Sequence, residues 1–182
     1  MNRTRPVLRR PWVVGVLVAG LVAVTAGLYW FQPWQLLVDE TVQEALPPQA
    51  PEPTQAPKQA PKPPPEPADL ATGTLISHEH RTAGTVRIIR AADGSLVLRL
   101  ENLQTSSGPD VHVWLTDAPV KPGKDGWGLF DDGKYLDAGK LKGNKGNQNY
   151  PLPPGTDLTG YTSVSLWCDR FDVSFGAAQL ST

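Results

Sequence analysis

Val86-Arg-Ile-Ile-Arg-Ala-Ala-Asp-Gly-Ser-Leu-Val-Leu-Arg-Leu100 is the stretch that decides the fold. Val86 and Ile88 alternate with polar neighbours, Ala92-Asp93-Gly94 supplies a turn, and Leu96, Leu98 and Leu100 then alternate with Val97 and Arg99. Two period-two runs about an Asp-Gly step predict a β-hairpin. Working outward, Val111, Val113 and Leu115 mark another strand, and Tyr161–Cys168 and Phe171–Phe175 two more. Weaker candidates lie at Gly73–His80, Tyr135–Leu141 and Asn147–Leu152. No window repeats at 3.6 residues. Many short strands parted by Gly, Pro, Asn and Asp imply an all-β domain, an antiparallel β-sandwich or partly closed barrel, over residues 70–182. One core is expected for a segment of that length.

The pattern changes toward the N-terminus. Arg3, Arg5, Arg9 and Arg10 lead into an uncharged run from Pro11 to Val38. Its apolar centre, Trp12–Phe31, holds ~20 residues, enough at 1.5 Å per residue to cross a ~30 Å hydrocarbon layer. Trp12 at one end and Tyr29, Trp30, Phe31 and Trp34 at the other match interfacial aromatic belts. Residues 12–34 therefore read as a transmembrane helix, a signal anchor seated in the lipid bilayer. The arginines precede it and Asp39, Glu40 and Glu44 follow it. The positive-inside rule then places residues 1–11 in the cytoplasm and the rest of the chain outside. Val24-Thr25-Ala26 resembles a cleavage site, so a removed signal peptide is the competing reading. The length of the run and the aromatic residues beyond that site favour the anchor, and both readings export the C-terminal domain.

Residues 35–69 read as a Pro-rich extracytoplasmic linker. About half of Pro47–Pro67 is proline, a composition that favours extended polyproline II structure and reaches about 60 Å. PxxP spacings such as Pro48-Gln49-Ala50-Pro51 suit signalling domains that are mostly cytoplasmic, so a spacer through a cell envelope is the preferred reading.

Charge excludes some partners. Residues 70–182 carry eleven Lys and Arg against twelve Asp and Glu, with no basic excess of the kind a nucleic-acid surface gathers on one face. Lys140, Lys142 and Lys145 form the one basic cluster and read as a solvated loop. Asp117, Asp125, Asp131 and Asp132 lie in or beside a long loop, Ala118–Lys134, without the regular spacing of an EF-hand. His78 and His80, two apart on a strand, would need a third metal ligand that the sequence does not supply, so no metal site is expected. No nucleophile elbow, phosphate loop or Ser/His/Asp spacing is present.

The single cysteine, Cys168, rules out an internal disulfide and a Cys-rich zinc site. Val164, Leu166 and Cys168 share one side-chain phase, and Phe171, Val173 and Phe175 the opposite one. A continuous strand cannot bury both sets on one face, so a bulge or bend is expected between Cys168 and Phe171, with Cys168 at a strand end. Its shared phase with Val164 and Leu166 fits a buried, core-filling thiol. Asp169 would raise its pKa and Arg170 lower it, so charge leaves its role open.

Three further stretches carry a resemblance: Ser107-Gly-Pro-Asp-Val-His-Val-Trp-Leu115, Gly139-Lys-Leu-Lys-Gly-Asn-Lys-Gly-Asn-Gln-Asn-Tyr-Pro-Leu-Pro153, and Tyr161 through Leu180 with its Leu-Trp-Cys-Asp-Arg-Phe core. In this order, and with the His80-Arg-Thr-Ala-Gly84 step, residues 70–182 are similar to the electron-transfer DM-thirteen domain family. The resemblance implies a β-sandwich-like domain whose typical cysteine matches Cys168, acting in redox chemistry as a bare thiol or as a haem ligand. Trp167, Asp110, His112, Tyr150 and Arg170 would be its supporting residues. In animal members the domain accompanies haem-binding-like partners, and none lies in this chain. The chain is thus expected to be a membrane-anchored extracytoplasmic redox module working with an envelope protein or redox partner. The alternative is a non-catalytic module that binds an envelope protein or glycan through Trp127, Trp114 and Tyr150, with Cys168 in the core.

Overall fold

The structure is a computed structural model and describes residues 11–46 and 68–182. The arginine-bearing N-terminus (1–10) and the proline tract (47–67) lie outside the described residues. The chain divides into two units, Met1–Leu37 and Val38–Thr182.

In the first unit, α1 (Pro11–Phe31) runs into a 3₁₀ turn, Pro33–Leu37. Proline suits the first helical position, since its missing N–H has no helical partner there. The helix stops where Gln32 turns to φ 42° ahead of Pro33, because the residue before a proline is pushed out of the helical region. No residue of α1 is buried. A helix apolar on every side, with none of its residues buried among the described residues, suits lipid, and this one is long and apolar enough to cross a membrane.

The second unit is one curled nine-stranded sheet, a half-barrel. Its strands are β1 (Thr41–Gln43), β2 (Ala68–Ser77), β3 (Ala83–Arg90), β4 (Leu96–Gln104), β5 (Val111–Thr116), β6 (Tyr135–Lys140), β7 (Lys145–Pro151), β8 (Ser163–Cys168) and β9 (Val173–Gln179). Their spatial order is β1-β7-β4-β3-β2-β9-β8-β5-β6, antiparallel throughout except for β1 on β7. The hairpin read from Val86–Leu100 is β3–β4, turning at Gly94, whose φ of 85° favours glycine. The sheet curls at β2, whose first part, Ala68–Thr74, pairs with β3 and whose last part, Leu75–Ser77, pairs with β9. Near this changeover a Cβ on Gly73 would lie 2.5 Å from the Gln179 carbonyl oxygen, so the two strands approach only because residue 73 is glycine.

The concave side holds the main core: Val86, Ile88, Leu98, Leu100, Val113, Leu115, Val164, Leu166, Cys168 and Phe175. Outside β8 lies a smaller aromatic cluster of Trp114, Phe130 and Trp167 with Ala118 and Ala177.

Part of the stretch expected as spacer is fastened to the domain. Thr41–Gln43 pairs with Lys145–Asn147. Asn144 accepts from the Glu40 N–H at 2.7 Å and donates to Asp39 at 2.8 Å. Lys145 pairs with Asp39 and Lys142 with Glu44. Of the three lysines read as a solvated loop, Lys142 and Lys145 therefore hold this strap by charge and hydrogen bonding. A Cβ on Gly146 would collide with the Val42 carbonyl oxygen, so the strap needs glycine there.

Candidate functional site

Tyr161–Gly176 contains a reversal, which is the irregularity that the phase argument requires. Strand β8 ends at Cys168, the chain turns through Asp169–Asp172, and β9 returns with Val173 opposite Cys168. Phe171 N–H closes the turn on the Cys168 carbonyl at 3.2 Å, and Asp172 takes φ 50°, a left-handed conformation that Asp tolerates better than most residues. A second adjustment lies at Phe175: Trp167 pairs with Ser174 and Leu166 with Gly176, so Phe175 is an extra residue in β9. The turn and bulge together bring Val173 and Phe175 into the same core as Val164, Leu166 and Cys168, while Phe171, expected to share their face, lies exposed in the turn.

Cys168 is fully buried, at 0 % exposure, among the residues of the main core. Burial pushes the thiol pKa up. Backbone hydrogen bonding from Arg170, Phe171 and Asp110 acts against that shift, and the Glu79 charge adds to it. Desolvation disfavours the thiolate, while N–H donors aimed at sulfur stabilise it. Asp110 also fixes the end of the strand, because its carbonyl accepts from the Asp169 N–H at 3.0 Å.

The other expected site residues divide into two groups. Asp110, His112, Trp167 and Arg170 gather around the Cys168 end of β5 and β8. His112 lies opposite Trp167 in the sheet. Its Nδ1 is 2.8 Å from an Asp137 oxygen and its Nε2 3.4 Å from Asp110. One ligand atom each of Asp110, His112 and Asp169 falls within 4.8 Å of the others, a grouping that attracts positive charge. The Lys140 ammonium supplies it, 2.7 Å from Asp110, and holds that carboxyl below its ordinary pKa. Tyr150 stands apart on β7, where its hydroxyl donates to Gln148 at 2.7 Å. Burial raises its pKa strongly, which suits a structural phenol.

The histidines do not converge. His78 bonds the Ser174 hydroxyl through Nδ1 at 2.9 Å and the Lys121 carbonyl through Nε2 at 3.1 Å. A carbonyl only accepts, so Nε2 carries the proton in the neutral ring and Nδ1 accepts from Ser174. Burial lowers the His78 pKa, opposed by the Lys121 carbonyl. His80 instead packs on Phe175, with ring centroids 3.9 Å apart. Asp117 accepts from the Lys134 backbone N–H.

Sequence reasoning did not bring Tyr135 to this region. The antiparallel pairing of β6 with β5 stacks its ring on Trp114, with centroids 4.0 Å apart and planes 10° from parallel. Only the phase of Trp114, shared with His112 and opposite to Val113, pointed toward an aromatic outer face.

A haem thiolate does not fit. It would need the sulfur in the wall of an apolar cleft, whereas Cys168 is fully buried in the main core. Two surface clefts, one around Leu70, Leu115, Leu158 and Tyr161 and one around Arg90, Leu152 and Pro153, do not include Cys168.

No curated protein and no solved structure matches the chain. The family model described as Electron transfer DM13 matches residues 74–180, from β2 to the end of β9. The chain belongs to the electron transfer DM13 family.

Proposed function

We propose that the chain is a membrane-anchored, extracytoplasmic electron-transfer module whose redox group is Cys168. The observation that carries this reading is the Electron transfer DM13 match over residues 74–180, which spans the one cysteine of the sequence, Cys168. Backbone hydrogen bonding from Arg170, Phe171 and Asp110 counters the rise that burial gives the thiol pKa, which favours negative character on the sulfur. The helix Pro11–Phe31 would tether the domain, with residues 1–11 in the cytoplasm. Residues 12–34, 35–69 and 70–182 are taken as anchor, linker and functional domain, with Asp39–Ala45 of the linker strapped to β7.

In the thiol form of this chemistry the Asp169–Asp172 turn lifts and the Cys168 thiolate attacks one sulfur of a partner protein's disulfide. The mixed disulfide forms and the other partner sulfur leaves as thiolate. The chain has no second cysteine, so a thiolate of a second, dithiol protein attacks the Cys168 sulfur and releases the first partner fully reduced. The other thiolate of the dithiol then closes its own disulfide and returns Cys168 as thiolate, so two electrons pass from the dithiol to the first disulfide.

A second reading is favoured by the complete burial of Cys168: a protein- or glycan-binding module in which the thiol only fills the core. Labelling kinetics separate the two. With the full chain in detergent, a thiol reagent should label Cys168 at denaturant concentrations too low for global unfolding, at a rate set by local opening of the turn. Labelling that tracks global unfolding alone would favour the core-filling reading.

A further inference from the structure

Tyr135, Trp114 and Trp167 come from three different strands, yet their rings form one column. Tyr135 stacks on Trp114 at 4.0 Å, and Trp114 on Trp167 at 5.2 Å with planes 22° apart. Exposure falls along the column from 46 % at Tyr135 to 4 % at Trp114 and 1 % at Trp167. The column thus runs from solvent to the residue that immediately precedes Cys168. Both spacings suit stacked rings. On its far side Phe130 meets Trp167 edge-on at 6.4 Å, and a phenyl ring is much harder to oxidise than an indole or a phenol.

The Trp114 Nε1–H is buried with no hydrogen-bond partner. Such a group costs ~1–3 kcal/mol, and an orphan of this kind calls for a reason, redox chemistry among the known ones. An indole that loses an electron ordinarily sheds its Nε1 proton to the group it hydrogen-bonds. With no acceptor, the radical cation keeps its charge and passes the vacancy on instead of trapping it.

We propose that Tyr135, Trp114 and Trp167 form an electron relay between the Cys168 sulfur and a one-electron metal centre docked at Tyr135. The relay rests on the redox reading of Cys168 and gives it a route that works while the turn stays closed. The oxidised metal centre gains one electron, the vacancy moves through Trp114 to Trp167, and Cys168 fills it. The thiol thereby loses one electron and one proton and becomes a thiyl radical. The proton passes to solvent water, as the exchangeable hydrogen of a thiol does. Return of one electron and that proton restores the thiol.

The test uses the full chain in detergent with a photogenerated ruthenium tris-bipyridine oxidant and nitric oxide as the radical trap. Nitric oxide is small enough to enter a closed core, and it combines with a thiyl radical to give an S-nitrosothiol. The trapped adduct is located by mass spectrometry, and ring radicals are followed by electron paramagnetic resonance. The expected result is an adduct on Cys168 in the wild type, its loss in Trp114→Phe, and its retention in Tyr161→Phe. If Trp114→Phe does not fold, Tyr135→Leu removes the outermost ring from an exposed position and should also lose the adduct. An undiminished adduct in folded Trp114→Phe overturns the relay and leaves the redox reading of Cys168 standing. Ring radicals in the wild type with no Cys168 adduct overturn the redox reading itself, and the relay with it.

Discussion

The two faces of β8 put neighbouring residues into opposite chemistry. On one face Val164, Leu166 and Cys168 enter the main core. On the other, Ser163 bonds Thr116 and the Ala118 carbonyl, Ser165 bonds Ser174, and Trp167 packs with Trp114 and Phe130. Both faces are buried, but for different reasons. The inner one excludes water from a sulfur and raises its pKa, while the outer one satisfies its hydroxyls and aligns rings. A strand buried on both sides can therefore carry a sulfur into an apolar core on one face and a ring into an aromatic cluster on the other.

The largest effect should come from the inner face. Leu166→Ala should cost ~2–5 kcal/mol, because a closely packed core collapses only partly around a cavity. Urea unfolding of the full chain measures it, and a loss no greater than that from an outer-face serine would break the contrast. Cys168→Ser comes next, at ~1–3 kcal/mol, since a hydroxyl placed where the surroundings are apolar loses its water without regaining full hydrogen bonding. The same unfolding curve reads it, and a smaller loss would mean that backbone hydrogen bonding from Arg170, Phe171 and Asp110 satisfies the hydroxyl as well as the sulfur. On the outer face, Ser165→Ala should cost ~0.5–1.5 kcal/mol through the lost bond to Ser174. A value near that of Leu166→Ala would show the hydroxyl network to be as critical as the core.

The smallest effect is pH-dependent and also belongs to the outer face. Burial lowers the folded pKa of His78 below its ordinary 6.5. The unfolded chain then takes up the proton first as pH falls, so stability is fully present above about 6.5 and declines below it, down to the folded pKa. His80 is shifted the same way by burial, opposed by Glu79. Thermal melts from pH 7 to about 5 should show a falling Tm, and His78→Gln should flatten part of the slope. A Tm that rises on acidification would contradict the neutral tautomer bonded to Ser174 and Lys121.

Much of this contrast was legible in the sequence. Alternation gave the β3–β4 hairpin, the strand β5 and the inner phase of Val164, Leu166 and Cys168, because a half-buried strand writes its period directly. The clash of phases after Cys168 required an irregularity. Its nature was hidden because Asp169-Arg170-Phe171-Asp172 contains neither Gly nor Pro, the usual marks of a reversal. The strap was hidden for another reason: Thr41–Gln43 is too short for any period, and its partners Asn144 and Lys145 lie about a hundred residues away. The Tyr135–Trp114 stack depends on a long-range register between β5 and β6, to which local pattern is blind. Cys168 was singled out by its solitude, and its phase with Val164 and Leu166 already pointed to the core position it takes.

The most direct test of Cys168 as the redox group is an equilibrium redox titration of the full chain in detergent, with the state of residue 168 read by alkylation and mass spectrometry. The account predicts a reversible change in the oxidation state of that sulfur, matched by a redox response that Cys168→Ser abolishes. A sulfur that stays a reduced thiol across the titration, or a redox response unchanged in Cys168→Ser, would contradict it.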